Sequence, residues 1–216
     1  NISRLQSICR KHDLLLIEDA AHSLGALYKD KLVGSLSDMT TFSFHPVKHI
    51  TTAEGGMVTT DSLELYSKLS AFRNHGITVD YRQRQDSGSW LYDIASIGFN
   101  YRLSDIQSAL GISQLSRLDE MVTRRREIAA SYNNAFRNNP LLDIPFVEEN
   151  TLSSWHLYVI KLRLGELCVG RTEIFKALRA HNIGVNVHYI PVPWMTLYQD
   201  LGYTKGQWPV TESVYE

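Results

Sequence analysis

Cysteine is scarce: Cys9 and Cys168 are the only two in 216 residues, and they lie far apart. That spacing argues against a disulfide scaffold and a cysteine-rich metal site, and it suits a reducing cytoplasm, the expected location. Long apolar runs are also missing. No stretch approaches the ~18 apolar residues of a membrane span and no secretory leader is visible, so no membrane partner is expected. Neither sign of charge predominates, with 22 Lys and Arg against 23 Asp and Glu and a formal net charge of -1. A nucleic-acid-binding domain needs a basic footprint, and the local cluster Arg124-Arg125-Arg126 reads instead as a solvated helix face. Internal repeats and low-complexity segments are lacking too. What is present is 44% hydrophobic content over a length that suits one or two globular domains. Helical patterning at Asn1 and again at Glu216 leads to the expectation of an internal piece of a longer protein.

Ile2, Leu5, Ile8 and Cys9 have helical spacing, and Leu14-Leu15-Leu16-Ile17 is a short apolar run of the kind found in buried parallel strands. That run ends in Glu18-Asp19. Ligands of open α/β sheets lie beyond the carboxyl ends of the strands, so a carboxylate there, followed by small residues and His22, either meets a cofactor or caps a helix. Residues 40–44 and 56–60 read as two further strands that converge on one rim, the second opened by the Gly55-Gly56 turn. Asp61-Ser62-Leu63-Glu64 resembles a capping box and predicts a helix through Leu65, Leu69 and Phe72 that closes near Gly76. The polar stretch from Asp80 to Ser89 reads as a loop or insertion. Ser104-Asp105-Ile106-Gln107 predicts the start of one long helix to about Phe136, broken by Asn138-Asn139-Pro140. A smaller unit follows, with a strand over 155–164, a helix over 172–181 and a strand over 183–189.

The chemistry centres on the stretch from Ser43 to Gly56. A lysine that attacks an aldehyde must be uncharged part of the time, which favours low-dielectric surroundings and nearby positive charge over a solvated helix face. Lys48 is read as such a Schiff-base lysine, with Ser43 and its backbone as a candidate phosphate cradle. His45 and His49 flank it at a separation of four, a metal-pair spacing on a helix. Pro46 argues against a helix there, and no carboxylate or cysteine spacing accompanies the pair, so no metal is expected. Glu54 is expected to help hold the glycine turn, and Arg102 either to bind substrate phosphate or to pair with Asp105.

Five ordered motifs carry a resemblance: Glu18-Asp19-Ala20-Ala21-His22, Ser43-Phe44-His45 with Lys48, Glu54-Gly55-Gly56, Arg73-Asn74-His75-Gly76 and Gly98-Phe99-Asn100-Tyr101-Arg102. Together they resemble the DegT/DnrJ/StrS family of PLP-dependent nucleotide-sugar aminotransferases. Val187-His188-Tyr189 with Pro191 extends the likeness toward the end of the chain, and within the family it is greatest to the pseudaminic-acid 4-aminotransferases. The resemblance implies an α/β protein of the fold-type-I PLP-dependent, aspartate aminotransferase-like kind. Residues 1–103 would be the later part of the PLP-binding large domain, 104–137 a linking helix, and 138–216 an incomplete small C-terminal α/β domain.

By the same resemblance, Lys48 would bind PLP covalently and act as the catalytic base, and Asp19 would keep the pyridine nitrogen protonated. Ser43 would bond the cofactor phosphate. His22 would stand near the cofactor 3′-oxygen, where glutamine is commoner in the family; its imidazole can still donate a hydrogen bond there. Asn100 would reach the phosphate of a neighbouring subunit, implying a homodimer with a shared active site, and Asn186, His188 and Tyr189 would line the sugar-nucleotide pocket. The implied reaction moves an amino group from L-glutamate, through PLP and PMP, to the C4 ketone of a UDP-4-keto-6-deoxy-N-acetylhexosamine, in bacterial surface or secreted amino-sugar biosynthesis. Two rivals remain. One is a PMP-dependent sugar dehydratase, which in this family carries histidine in place of the lysine, and the other is a non-catalytic regulatory or binding protein on the same fold.

Overall fold

The computed structural model describes residues 1–216. Helix α1 (Ile2–Lys11) opens on the Asn1 side chain, which accepts from the Arg4 amide, and ends with Arg10 and Lys11 against its negative pole. It is followed by β1 (Ile17–Asp19), the short hairpin of β2 (Leu27–Tyr28) and β3 (Lys31–Leu32), then β4 (Met39–Ser43) and β5 (Gly56–Thr59). β4 is the middle of a three-stranded sheet, parallel to β1 and antiparallel to β5. In that register Asp19 lies opposite Thr41, and Ser43 opposite Gly56. The carboxyl ends of β1 and β4 and the amino end of β5 therefore share one edge, the rim predicted from the sequence.

Helix α2 (Leu63–Phe72) starts at Ser62, whose hydroxyl accepts from the Leu65 amide at 3.3 Å. The polar stretch expected to be a loop contains a helix, α3 (Tyr81–Ser87), because Asp80 and Gln83 form a reciprocal capping box and Gly88 closes it in the left-handed conformation. The predicted single long helix is two, α4 (Asp105–Leu115) and α5 (Leu118–Phe136), with Ser104 and Gln107 forming the box that opens α4. Next come β6 (Leu142–Asp143), β7 (Thr151–Leu152) and β8 (Lys161–Leu162), then α6 (Arg171–Ala180), α7 (Thr196–Asp200) and α8 (Pro209–Tyr215). No helix is long and apolar enough to cross a membrane.

The chain forms two compact units, the first comprising Asn1–Ala129 and Val147–Leu157, the second Ala130–Phe146 and Tyr158–Glu216. In the first, Ala20, Phe42, Phe44 and Ile50 form the buried core, with Leu24, Val33, Leu118 and Met121 packed against it. β7 joins the hairpin of that unit by pairing with β2. In the second, β6 pairs with β8 and α6 follows the predicted helix within a residue. Of the strand expected over 155–164 only Lys161–Leu162 is extended and paired, and residues 183–189 are irregular. An apolar run becomes a strand only where a neighbour takes its backbone hydrogen bonds, and no named strand pairs with 183–189.

Candidate active site

The rim around Lys48 is held by the backbone of its own turn. After β4 the chain reverses through Lys48 N–H donating to His45 O at 2.9 Å, which leaves Lys48 half-buried. Phe44 O accepts from Thr52 N at 3.0 Å and from the Thr51 hydroxyl at 3.1 Å, and Phe44 N donates to Gly55 O at 2.9 Å. Glu54 serves through its carbonyl, which accepts from the Thr52 hydroxyl at 2.7 Å and from Gln107 Nε2 at 2.9 Å. Its carboxylate lies 3.9 Å from His45 Nε2, on the solvent side. The glycines of this turn have a steric reason. A Cβ on Gly55, at φ +156°, would lie 2.3 Å from Thr52 Oγ1, and one on Gly56 would lie 2.7 Å from Phe42 O.

Asp19, at the end of β1, accepts the Ala21 amide on Oδ1 at 3.0 Å, and the chain turns there to expose His22. Ser43, at the end of β4, accepts the His45 amide on Oγ at 3.4 Å. Asp19, Ser43 and Lys48 thus all occupy or closely follow strand ends at one sheet edge, with His22 just beyond β1. A cavity of about 860 Å³ is lined by Thr41 and Phe42 of β4, Glu54 and Gly55 of the turn, β5, α2 and Tyr101–Leu103; none of Asp19, His22, Ser43 and Lys48 lines it.

The sequence reading missed the layer behind this rim. His49, only 3% exposed, donates from Nε2 to Ser154 O at 3.2 Å, which requires that nitrogen to carry the proton. The His156 ring lies with its centroid 5.5 Å from that of His49 and 4.2 Å from that of His22. Burial, with Arg125 next in weight, pushes the His49 imidazole down to about 4. Burial, followed by the charges of His22 and Lys48, pushes His156 down to about 4 as well. Both rings are therefore neutral near pH 7. The basic triplet on α5, expected to be a solvated face, is solvated only at Arg124, which pairs with Glu127 at 2.7 Å. Arg125 and Arg126 turn inward because residues 153–156 pair with no strand there and leave carbonyls for them. The available signal was the three histidines spread over residues 22, 49 and 156, and nothing in their spacing indicates that they meet.

Asn100 lies on a short bridge to Asn74 and is exposed. The segments carrying the two asparagines run backbone to backbone, with His75 N donating to Phe99 O at 3.0 Å and Tyr101 N to Arg73 O at 3.0 Å. The approach needs glycine, since a Cβ on Gly98 would sit 2.1 Å from Gly76 N. Arg102 does not pair with Asp105 as expected. Its Nη1 donates to Asn74 Oδ1 at 2.8 Å, because this bridge brings Asn74 within reach of the guanidinium. In the second unit, Asn186 is exposed and accepts the Val187 amide at 2.8 Å, while His188 is half-buried and Tyr189 is 63% exposed.

A family model described as the DegT/DnrJ/EryC1/StrS aminotransferase family matches residues 1–216. A UDP-4-amino-4,6-dideoxy-N-acetyl-beta-L-altrosamine transaminase of Campylobacter jejuni is 42% identical over 200 residues, covering 93% of this chain and 51% of that protein. Among solved structures, Helicobacter pylori PseC, an aminotransferase involved in the biosynthesis of pseudoaminic acid, superposes with a TM-score of 0.85 at 36% identity, over 100% of this chain and 56% of that one. The PMP form of Spr1654 from Streptococcus pneumoniae gives a TM-score of 0.86 at 32% identity, over 100% of this chain and 59% of that one. The chain thus spans about half the length of the curated relatives it matches.

Proposed function

The chain belongs to the DegT/DnrJ/EryC1/StrS aminotransferase family, and from that premise we propose that Lys48 is the cofactor-carrying lysine of a pyridoxal-phosphate-dependent sugar aminotransferase. The observation that supports this most is the half-buried Lys48 just beyond β4, at the edge where the carboxyl ends of β1 and β4 meet the amino end of β5. The donors there suit the cofactor: a primary amine for its aldehyde, the Asp19 carboxylate for its ring nitrogen and the Ser43 hydroxyl for its phosphate. His22 is assigned to the ring, and Asn100 to the phosphate in the partner of a homodimer. Residues 1–103 are assigned to the cofactor domain, 104–137 to the link and 138–216 to the small domain, from which Val147–Leu157 returns to the first compact unit.

When bound, pyridoxal phosphate supplies an aldehyde that takes up an amine and a ring that accepts the electron pair released when the neighbouring carbon loses its proton. Lys48 Nζ moves that proton, acting as base on the substrate carbon and then as acid. Asp19 keeps a proton on the ring nitrogen, so that the ring can accept negative charge. The amino donor is L-glutamate and the acceptor the C4 ketone of a UDP-4-keto-6-deoxy-N-acetylhexosamine, with Asn186, His188 and Tyr189 assigned to the sugar nucleotide. The names of the Campylobacter and Helicobacter relatives support the choice of acceptor. The protein is assigned to the cytoplasm, where nucleotide sugars are made. Lys48 stands where dehydratases of this family have histidine, which disfavours that rival.

The full-length protein, loaded with cofactor, is expected to change its visible absorption on addition of L-glutamate and to yield an amino sugar from UDP-4-keto sugars, identified by mass spectrometry. Lys48→Ala should lower turnover by roughly a hundred- to ten-thousandfold, the usual contribution of a positioned proton-transfer group. A full-length wild type that shows no spectral response to glutamate would falsify the reading. Binding of sugar nucleotide without any amino product would instead support the non-catalytic rival.

A further inference from the structure

Four consecutive carbonyls behind the Lys48 rim are each held by a side chain, although the segment that carries them is not a strand. Ser153 O accepts from Arg126 Nε at 3.0 Å, and Ser154 O faces His49 Nε2 at 3.2 Å. Trp155 O and His156 O both accept from Arg125 Nη1, at 3.1 and 3.2 Å. Arg126 also reaches Gly25 O at 2.9 Å, tying the same segment to the loop after His22. Backbone gripped at every residue is backbone whose side-chain directions are fixed, and the ring it directs forward is that of His156.

We propose that His156 is a positioning residue whose imidazole, fixed by this clamp and backed by the buried His49, sets the orientation of the His22 ring beside Lys48. His22 is exposed on a turn and approaches His156 ring to ring at 4.2 Å, tilted by 52°. Ser154 Oγ donates to His22 O at 3.4 Å, so the segment that orients the ring also holds the backbone that carries it. Tilted ring pairs at such distances have a preferred geometry, which an aliphatic neighbour does not impose. The groups facing His156 are His22 from the turn after β1, Lys48 and His49 from the turn after β4, and Arg125 from α5. All of them disfavour a charge on His156, which therefore meets His22 as a neutral ring near pH 7.

This inference rests on the reading of the rim as a cofactor site, and two readouts on the full-length protein separate the two. The first needs no cofactor: the nitrogen resonances of the His22 ring, in protein labelled with ¹⁵N-histidine, should show one tautomer in the wild type and an averaged pattern in His156→Ala. The second is cofactor retention. His156→Ala should release pyridoxal phosphate about five- to tenfold faster than wild type, whereas His156→Phe, which keeps a ring, should stay within about twofold. In a His22→Gln background, His156→Ala should add nothing. His156→Leu fills the space without a ring and is expected to match the alanine variant, so the test survives if the latter does not fold. Unchanged His22 resonances in the alanine and leucine variants would overturn the proposal. So would equal loss in the phenylalanine variant, or an undiminished effect in the His22→Gln background. A wild type that binds no pyridoxal phosphate would sink the cofactor reading alone, leaving the resonance test of His156 standing.

Discussion

The two units are stabilised by different means. Apart from Pro191, the buried aliphatic and aromatic side chains, from Ala20 and Phe42 to Val122 and Ala129, lie in the first, as do the buried polar residues Thr40, His49, Thr52 and Ser154. In the second, contacts are made at half-exposed surface: Arg163 Nε donates to Asp143 Oδ1 at 3.0 Å, Arg171 lies 4.4 Å from the Tyr215 ring centre and Lys205 lies 4.1 Å from that of Trp194. A group that must meet a reacting atom within a fraction of an ångström needs the first kind of support. The Lys48 rim has it, whereas Asn186, His188 and Tyr189 stand on irregular backbone.

That contrast can be broken by substitution. The largest effect is expected in the first unit at Gly98, where a methyl group meets the Gly76 amide and neither backbone can yield cheaply. Gly98→Ala should destabilise the full-length protein by about 3 kcal/mol, read as a lowered midpoint in denaturant unfolding. An intermediate effect is expected from acid. The folded His49 imidazole titrates at about 4, below its ordinary value near 6.5, so the unfolded chain binds the extra proton first. The stability due to a neutral His49 is therefore complete above about pH 6.5 and is lost as pH falls toward 4. His49→Gln, which can still donate to Ser154 O, should make the melting temperature fall less steeply over that window, the remaining slope coming from His156, also lowered to about 4. An unchanged pH profile would count against the burial of the His49 ring. The smallest effect is expected in the second unit. Arg163 holds the Asp143 carboxyl below its usual range, but the pair is solvated, and Arg163→Ala should leave the unfolding transition in place. A loss comparable to that of Gly98→Ala would erase the distinction between the units.

The first unit was also the more legible in sequence, and for the same reason. The strand at 40–44 is legible because Phe42 and Phe44 alternate into the core, and the one at 56–60 because Gly55-Gly56 opens it, although β5 itself is largely exposed. The apolar run Leu14-Leu15-Leu16-Ile17, expected to be buried, is mostly exposed, and the strand begins only at Ile17 and ends at Asp19. Helix α3 is hidden by its polar composition, and its one local signal is the Asp80 and Gln83 cap. The break between α4 and α5 carries no glycine or proline, so helical patterning runs straight through Ser116-Arg117. Arg125 and Arg126 looked like solvated charge because their partners are main-chain carbonyls, which leave no mark in a sequence. The His22, His49 and His156 layer was hidden by distance along the chain. In the second unit, the run at 183–189 has strand composition but no paired neighbour.

The clamp behind the rim also fixes an order of events as the chain folds. His49 meets a carbonyl 105 residues further on, and the Ser154 hydroxyl reaches back 132 residues to His22. Closing loops of that length costs more chain entropy than forming the local turns, which slows this step relative to them. The strands and the Lys48 turn can form early, while synthesis is still under way. The rim is completed only after residue 157 has been made and has folded back, so a nascent chain carries Lys48 before it carries the layer that backs it.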